Sequence, residues 1–175
     1  MKYHNITHDD MLNGDGLRVV LWVSGCSHHC KNCQNPITWD HCVGLEFDEA
    51  AEAEIFNELE KDYISGITLS GGDPLHENNV KCILDLIIKI KEKFPNKSVW
   101  TYTGYVWEDI MNKDDSNYDE IHQYRQQVLS LSDVVVDGRF EQDKADINYH
   151  WAGSTNQKVI NVKESLKNNI VILHK

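Results

Sequence analysis

Val19-Val20-Leu21-Trp22-Val23-Ser24-Gly25-Cys26-Ser27-His28-His29-Cys30-Lys31-Asn32-Cys33 is the stretch from which the rest of the chain is read. Its opening apolar run is short, which predicts a buried strand. Ser24-Gly25 breaks the run, so the residues after it belong on a loop at the strand's end. Three thiols follow on that loop, spaced C-x3-C-x2-C. Thiolates are soft ligands that suit zinc or iron–sulfur clusters. Three are one short of the four that hold a conventional cubane, so a cubane here leaves one iron open to a non-protein ligand. Zinc is the competing reading, with Cys42, His28 or His29 completing a tetrahedral site. A lone cysteine is usually an inert small hydrophobe, but that role does not account for three at this spacing.

Before this stretch the chain is polar. Asn13-Gly14-Asp15-Gly16 signals a turn, and an ordinary turn is favoured there over a binding loop. After it, Asp48 can cap a helix running to about Lys61, with Ala51, Ile55 and Leu59 on one face. Gly66 to Ser70 reads as a second strand and runs into Gly71-Gly72-Asp73-Pro74. A helix over 78–94 follows, buried through Val80, Ile83, Leu84, Ile87, Ile90 and Phe94, with Cys82 as a structural residue. Residues 98–103 form a third strand closed by Gly104. Residues 112–117 read as a surface loop, and 118–131 as a third helix. Asp133 to Asp137 is a fourth strand closed by Gly138, and Lys158 to Val162 and Ile170 to Leu173 are short strand candidates.

Alternating strands and helices predict an α/β fold of parallel β/α units with both sheet faces covered. In such folds ligands bind beyond the carboxyl ends of the strands. The thiol loop, Gly71-Gly72-Asp73-Pro74, Thr103-Gly104-Tyr105 and Asp137-Gly138-Arg139 all fall at those ends. A zinc ribbon does not need this arrangement. Gly71 and Gly72 lack a Cβ, so a ligand can approach their backbone. Asp73 has a competing role as a helix cap.

At 175 residues the chain is expected to be one domain, residues 1–175. Its net charge of −11 opposes a nucleic-acid or anionic membrane partner. The five cysteines are an odd number with three crowded together, the amino terminus shows no secretory leader, and no apolar stretch reaches bilayer length. These features predict a protein of the reducing cytoplasm.

The sequence resembles the radical S-adenosylmethionine superfamily, whose signature is C-x3-C-x2-C followed by Gly-Gly-Glu-Pro. Within it the chain is most similar to the activating proteins of anaerobic (class III) ribonucleotide reductase. The stretches that carry this similarity are 13–16, 23–26, 69–76, 102–105, 136–140 and 153–157, in the family's order and over nearly the whole chain. The resemblance implies an open partial (β/α) barrel. It implies that Cys26, Cys30 and Cys33 ligate three irons of a [4Fe–4S] cluster whose fourth iron takes the amine and carboxylate of S-adenosylmethionine. Gly71, Gly72, Asp73 and Pro74 would hold the methionine part. Asn32 and Gln34, beside Cys33, would lie near the adenine, and Thr103 and Asp137 at the cofactor's far side. Two departures stand out: Asn32 occupies the position of a common aromatic residue, and Asp73 replaces the commoner glutamate.

The activity implied is reductive cleavage of S-adenosylmethionine to a 5′-deoxyadenosyl radical. That radical takes a hydrogen from a glycine of the large reductase subunit, which becomes a glycyl radical. The implied partners are that reductase and an external one-electron donor such as flavodoxin or ferredoxin. No general base is required, and no histidine is assigned a catalytic role. The alternatives are an activase of another glycyl-radical enzyme, a small-molecule synthase of the same superfamily, and a zinc-stabilised interaction module.

Overall fold

The computed structural model describes residues 1–112 and 119–175. The predicted apolar run lies in strand β2 (Leu17–Val23), after an N-terminal strand β1 (Lys2–Asp10). The short β3 (Leu45–Glu46) precedes helix α1 (Glu49–Leu59), and β4 (Ile64–Gly71) leads to α2 (Val80–Lys93). Strand β5 (Ser98–Tyr102) is followed by α3 (Trp107–Met111) and α4 (Glu120–Leu131). Strands β6 (Val134–Asp137) and β7 (Lys158–Asn161) and helix α5 (Val162–Asn168) complete the order. Among the described residues the seven strands form one sheet, ordered β3-β1-β2-β4-β5-β6-β7. Its centre, β2-β4-β5-β6, is parallel, and β1, β3 and β7 are antiparallel at the flanks. The predicted α/β class is therefore present, with antiparallel edges added to a parallel centre.

Local chemistry sets the elements. Asp48 accepts hydrogen bonds from the N–H groups of Ala50 and Ala51, capping α1 as its sequence predicts. The buried stripe of α2 is Val80, Ile83, Leu84, Leu86, Ile87 and Ile90, and Cys82 is half-buried on the same helix. The loop predicted over 112–117 lies, apart from Asn112, in residues 113–118, outside the described residues. So does the predicted start of the third helix at 118; the described part begins at Glu120.

Four elements were not anticipated, one of them the two-residue β3. Strand β1 has bulges between Tyr3 and Asn5 and between Thr7 and Asp10, so its two buried apolar residues, Tyr3 and Ile6, fall out of a period-two pattern. Helices α3 and α5 are too short for a helical period to register.

Both sheet faces are covered, but the described helices all lie on one of them. The buried apolar residues of all five helices join one cluster with Val19, Leu21, Val23, Ile67, Leu69, Val99, Val135 and Ile160. The alternate positions point to the other face, as strand geometry requires. There Trp100, Val134, Val136 and Val159 make a smaller cluster with Trp151 and Ala152 from the loop before β7. Arg18 is fully buried on this second face. Its five N–H donors reach Thr68 Oγ1 (2.7 Å), Asp15 O (2.9 Å), Ser98 Oγ (3.0 Å), Ile67 O (2.7 Å) and Ser98 O (3.1 Å). Burial lowers its pKa to about 10, which leaves it charged at neutral pH. It ties the Gly14–Gly16 turn to three strands beneath the site.

Candidate functional site

The four parallel strands end at Val23, Gly71, Tyr102 and Asp137, and residues beyond those ends line one cleft of about 200 Å³ that opens to solvent. Cys26, Cys30, Cys33 and Gln34 contribute from the thiol loop, Gly71, Gly72 and Asp73 from the end of β4, and Thr103 and Gly104 from the end of β5. Gly138, Arg139 and Phe140 follow β6, with Gly153 and Gln157 beside them. Gln157 joins the last two segments: its Oε1 accepts from Gly153 N at 3.0 Å and its Nε2 donates to Gly138 O at 2.9 Å.

The thiol loop leaves β2 through Gly25, whose φ of +102° is open to glycine without strain. Gly25 N donates to Thr38 O at 2.8 Å and Cys26 N to Trp39 O at 3.0 Å, so the following segment returns and pins the loop's start. His29 and Asn32 take left-handed backbone at φ 47° and 57°. Asparagine tolerates that conformation, which is a local reason for its presence before Cys33. The Asn32 side chain is exposed and outside the cleft lining, whereas Gln34 lines it. Burial pushes the Cys26 thiol up to about 11, outweighing the hydrogen bonds it receives from the His28 and His29 backbone. Cys33 Sγ accepts from Asn35 N at 3.4 Å.

Three thiols from one loop line the cleft, a soft donor set that suits an iron–sulfur cluster. Zinc–thiolate bonds of about 2.3 Å put tetrahedral sulfurs about 3.8 Å apart. Among the described residues Asp40, His41 and Cys42 bring ligand atoms within 4.8 Å of one another, but all three are exposed and outside the cleft. In a cubane each thiol binds a different iron.

Gly71 and Gly72 also have a reason within the chain itself to be small. A Cβ on Gly71 would stand 2.6 Å from Val23 N, and one on Gly72 would stand 2.5 Å from Gly25 O. The chain's own backbone makes the close approach: Gly72 N donates to Val23 O and Asp73 N to Gly25 O, both at 2.8 Å. Asn79, the residue before α2, adds a side-chain bridge from Asp73 O (3.0 Å) to Ser24 O (2.8 Å). The Gly-Gly-Asp-Pro turn and the thiol loop are thereby built as one unit.

Asp73 is 1% exposed, and its carboxylate is a junction. It accepts from Leu75 N (2.8 Å), Gly104 N (2.9 Å), Thr103 Oγ1 (2.9 and 3.1 Å) and the His28 ring (2.8 Å). Asp73 and Thr103 therefore spend their polar atoms on each other and on the loops around them. Pro74 is buried behind the lining. Asp137 also turns inward: its oxygens accept from Trp107 N at 2.8 Å and Lys158 N at 3.1 Å, anchoring α3 and β7. Burial holds its carboxyl above the ordinary range.

Comparison with known proteins accords with this geometry. Residues 12–160 match the family model described as a 4Fe-4S single cluster domain. The chain is 42% identical to the anaerobic ribonucleoside-triphosphate reductase-activating protein of Pasteurella multocida, over 90% of this chain and 95% of that one. It is 42% identical to the protein of the same name from Escherichia coli K12, over 91% and 97%. Against that of Enterobacteria phage T4 it is 38% identical, over 91% and 93%. The chain belongs to the family of anaerobic ribonucleoside-triphosphate reductase-activating proteins.

Membership of the activating-protein family makes a [4Fe–4S] cluster its cofactor and excludes the zinc-module alternative. It also accounts for the distant segments at the cleft: the stretches 13–16, 102–105, 136–140 and 153–157, singled out by resemblance, all contribute to its lining. What sequence reasoning missed is the joining of the loops: His28 was read only as a candidate zinc ligand, and Asn79 was not singled out. His28 and Asn79 carry no motif of their own. Their only trace in sequence is adjacency, His28 inside the cysteine spacing and Asn79 just past Gly-Gly-Asp-Pro.

Proposed function

We infer that this protein activates an anaerobic ribonucleoside-triphosphate reductase by converting one of that enzyme's glycines to a glycyl radical. The observation that carries the reading is the convergence of three thiols with Gly71, Gly72 and Asp73 on one cleft at the ends of four parallel strands. When bound, the [4Fe–4S] cluster and S-adenosylmethionine supply one-electron cleavage of a carbon–sulfur bond and the hydrogen-abstracting radical. Cys26, Cys30 and Cys33 hold three irons and leave the fourth open. Gly71, Gly72, Asp73 and Pro74 form the methionine side of the site, with Asp73 and Thr103 acting by holding the loops in place. Gln34 lines the nucleoside side, Asn32 gives the turn its shape, and Asp137 orients the far wall through α3 and β7.

Residues 1–175 act as a single domain. Helices on one sheet face and a site at the strand ends support an open partial barrel of the radical S-adenosylmethionine type, whose open side admits a protein loop. The large reductase subunit is the protein substrate, and a flavodoxin or ferredoxin supplies the electron. The acidic surface opposes nucleic acid and anionic membranes, no described helix is long and apolar enough to cross a bilayer, and the cytoplasm is the compartment that suits free thiols.

The test is anaerobic incubation of the iron-loaded protein with the reductase, a one-electron reductant and S-adenosylmethionine. A glycyl-radical EPR signal on the reductase, with 5′-deoxyadenosine formed alongside it, is expected. Cofactor cleavage without any radical on the reductase would overturn the assignment of the partner.

A further inference from the structure

Between Cys26 and Cys30 stands a histidine that the reaction as described does not use. The His28 side chain is 5% exposed, and its Nε2 lies 2.8 Å from Asp73 Oδ2. An ionised carboxylate only accepts, so the ring donates from Nε2. The ring packs edge-on against Tyr105, with centroids 4.7 Å apart. It also fills the space that makes position 104 a glycine: a Cβ there would stand 2.3 Å from His28 Cδ2. Its Nδ1 is buried with no hydrogen-bond partner. An apolar side chain would fill the same volume without stranding a polar atom, so packing alone does not explain a histidine here.

We propose that His28 is a positioning residue: its bond to Asp73 sets the distance between the loop that carries the cluster and the turn that holds S-adenosylmethionine. The proposal rests on the reading that Cys26, Cys30 and Cys33 bind the cluster and that residues 71–74 hold the cofactor. The loop's start is fixed by main-chain bonds at Gly25 and Cys26. Past that point, His28 reaches across to Asp73, and through Asp73 to Thr103 and Gly104 at the end of β5. Reacting constellations need about 0.5 Å accuracy, and residues that orient metal ligands typically change affinity or activity 10–100-fold when lost. One side chain inside the cysteine spacing thus locks three strand ends in register.

The experiment compares the wild type with His28→Leu, His28→Gln and Gly104→Ala after anaerobic loading with iron and sulfide. Three quantities are read: iron per chain, S-adenosylmethionine affinity, and the EPR spectrum of the reduced cluster with and without S-adenosylmethionine. Leucine fills the volume without a donor, glutamine restores an N–H near the Nε2 position, and Gly104→Ala pushes the ring from beneath. His28→Leu and Gly104→Ala are expected to load iron as the wild type does, to bind S-adenosylmethionine about 10-fold more weakly, and to show a diminished cofactor-induced EPR change. His28→Gln is expected to recover most of that affinity. Wild-type affinity and spectra in His28→Leu would overturn the proposal, as would a His28→Gln variant as impaired as His28→Leu. Should His28→Leu fail to fold or load iron, His28→Gln and Gly104→Ala decide by the same criteria. A wild-type cluster whose EPR signal ignores S-adenosylmethionine would instead overturn the functional reading on which the proposal rests.

Discussion

Asp73→Asn removes one charge and exchanges one oxygen for an amino group at a site 1% exposed. Asp73 Oδ1 accepts from Leu75 N at 2.8 Å and Oδ2 from Gly104 N at 2.9 Å. Whichever way the amide turns, its NH2 faces one of these backbone donors. The buried donor that loses its acceptor costs about 1–3 kcal/mol, and the bonds that remain lose their charge assistance, about 1 kcal/mol more. The sum is about 3 kcal/mol, a large share of a domain's usual 5–15 kcal/mol. With a urea slope of about 2 kcal/mol per molar, the midpoint falls by about 1.5 M. The assay is urea unfolding of metal-free, reduced protein without oxygen, so that cluster binding does not contribute. A midpoint lowered by less than about 0.3 M would refute the account of Asp73 as the junction of three loops.

The other predictions concern the thiol loop, the buried arginine and the far wall. In metal-free protein at about pH 8, Cys26 should be alkylated by iodoacetamide about 100-fold more slowly than an ordinary thiol, because its pKa stands at about 11 instead of 9.0. Mass spectrometry showing equal rates would contradict this. Arg18→Met should destabilise the chain by about 3 kcal/mol in urea, and Arg18→Lys should recover less than half, since three donors cannot serve five acceptor atoms. A loss under about 0.5 kcal/mol would refute the role given to Arg18. Between the ordinary carboxyl value of 3.8 and the raised value of Asp137, the folded chain keeps a proton that the unfolded chain releases. That contribution is full below pH 3.8 and is lost as pH rises through the raised value, so the stability of the wild type relative to Asp137→Asn should fall as pH rises above about 4. A relative stability that rises over this range would contradict the sign.

The parallel centre of the sheet was legible because its strands are short valine- and isoleucine-rich runs flanked by glycine, and the helices between them carry clear stripes. Strand β1 was not, because its bulges spoil the alternation, and α3 and α5 are too short to show a period. Arg18 was passed over because a charged residue before an apolar run reads as a strand boundary, although its burial is satisfied by carbonyls and hydroxyls from distant strands. At the site, the three thiols and the Gly-Gly turn were visible as spacing. What the glycines do was not: backbone presses against Gly71 and Gly72, and a histidine against Gly104, and such contacts exist only once the loops meet. The same holds for Asp73, whose donors come from positions 28, 75, 103 and 104.

Cys26, Cys30 and Cys33 are proposed to present a cluster with one open iron to this cleft. The most direct test is the EPR spectrum of the reduced, iron-loaded protein recorded with and without S-adenosylmethionine. A cluster signal that changes when S-adenosylmethionine is added is expected, because the cofactor binds the open iron. A cluster signal identical in both samples would contradict it.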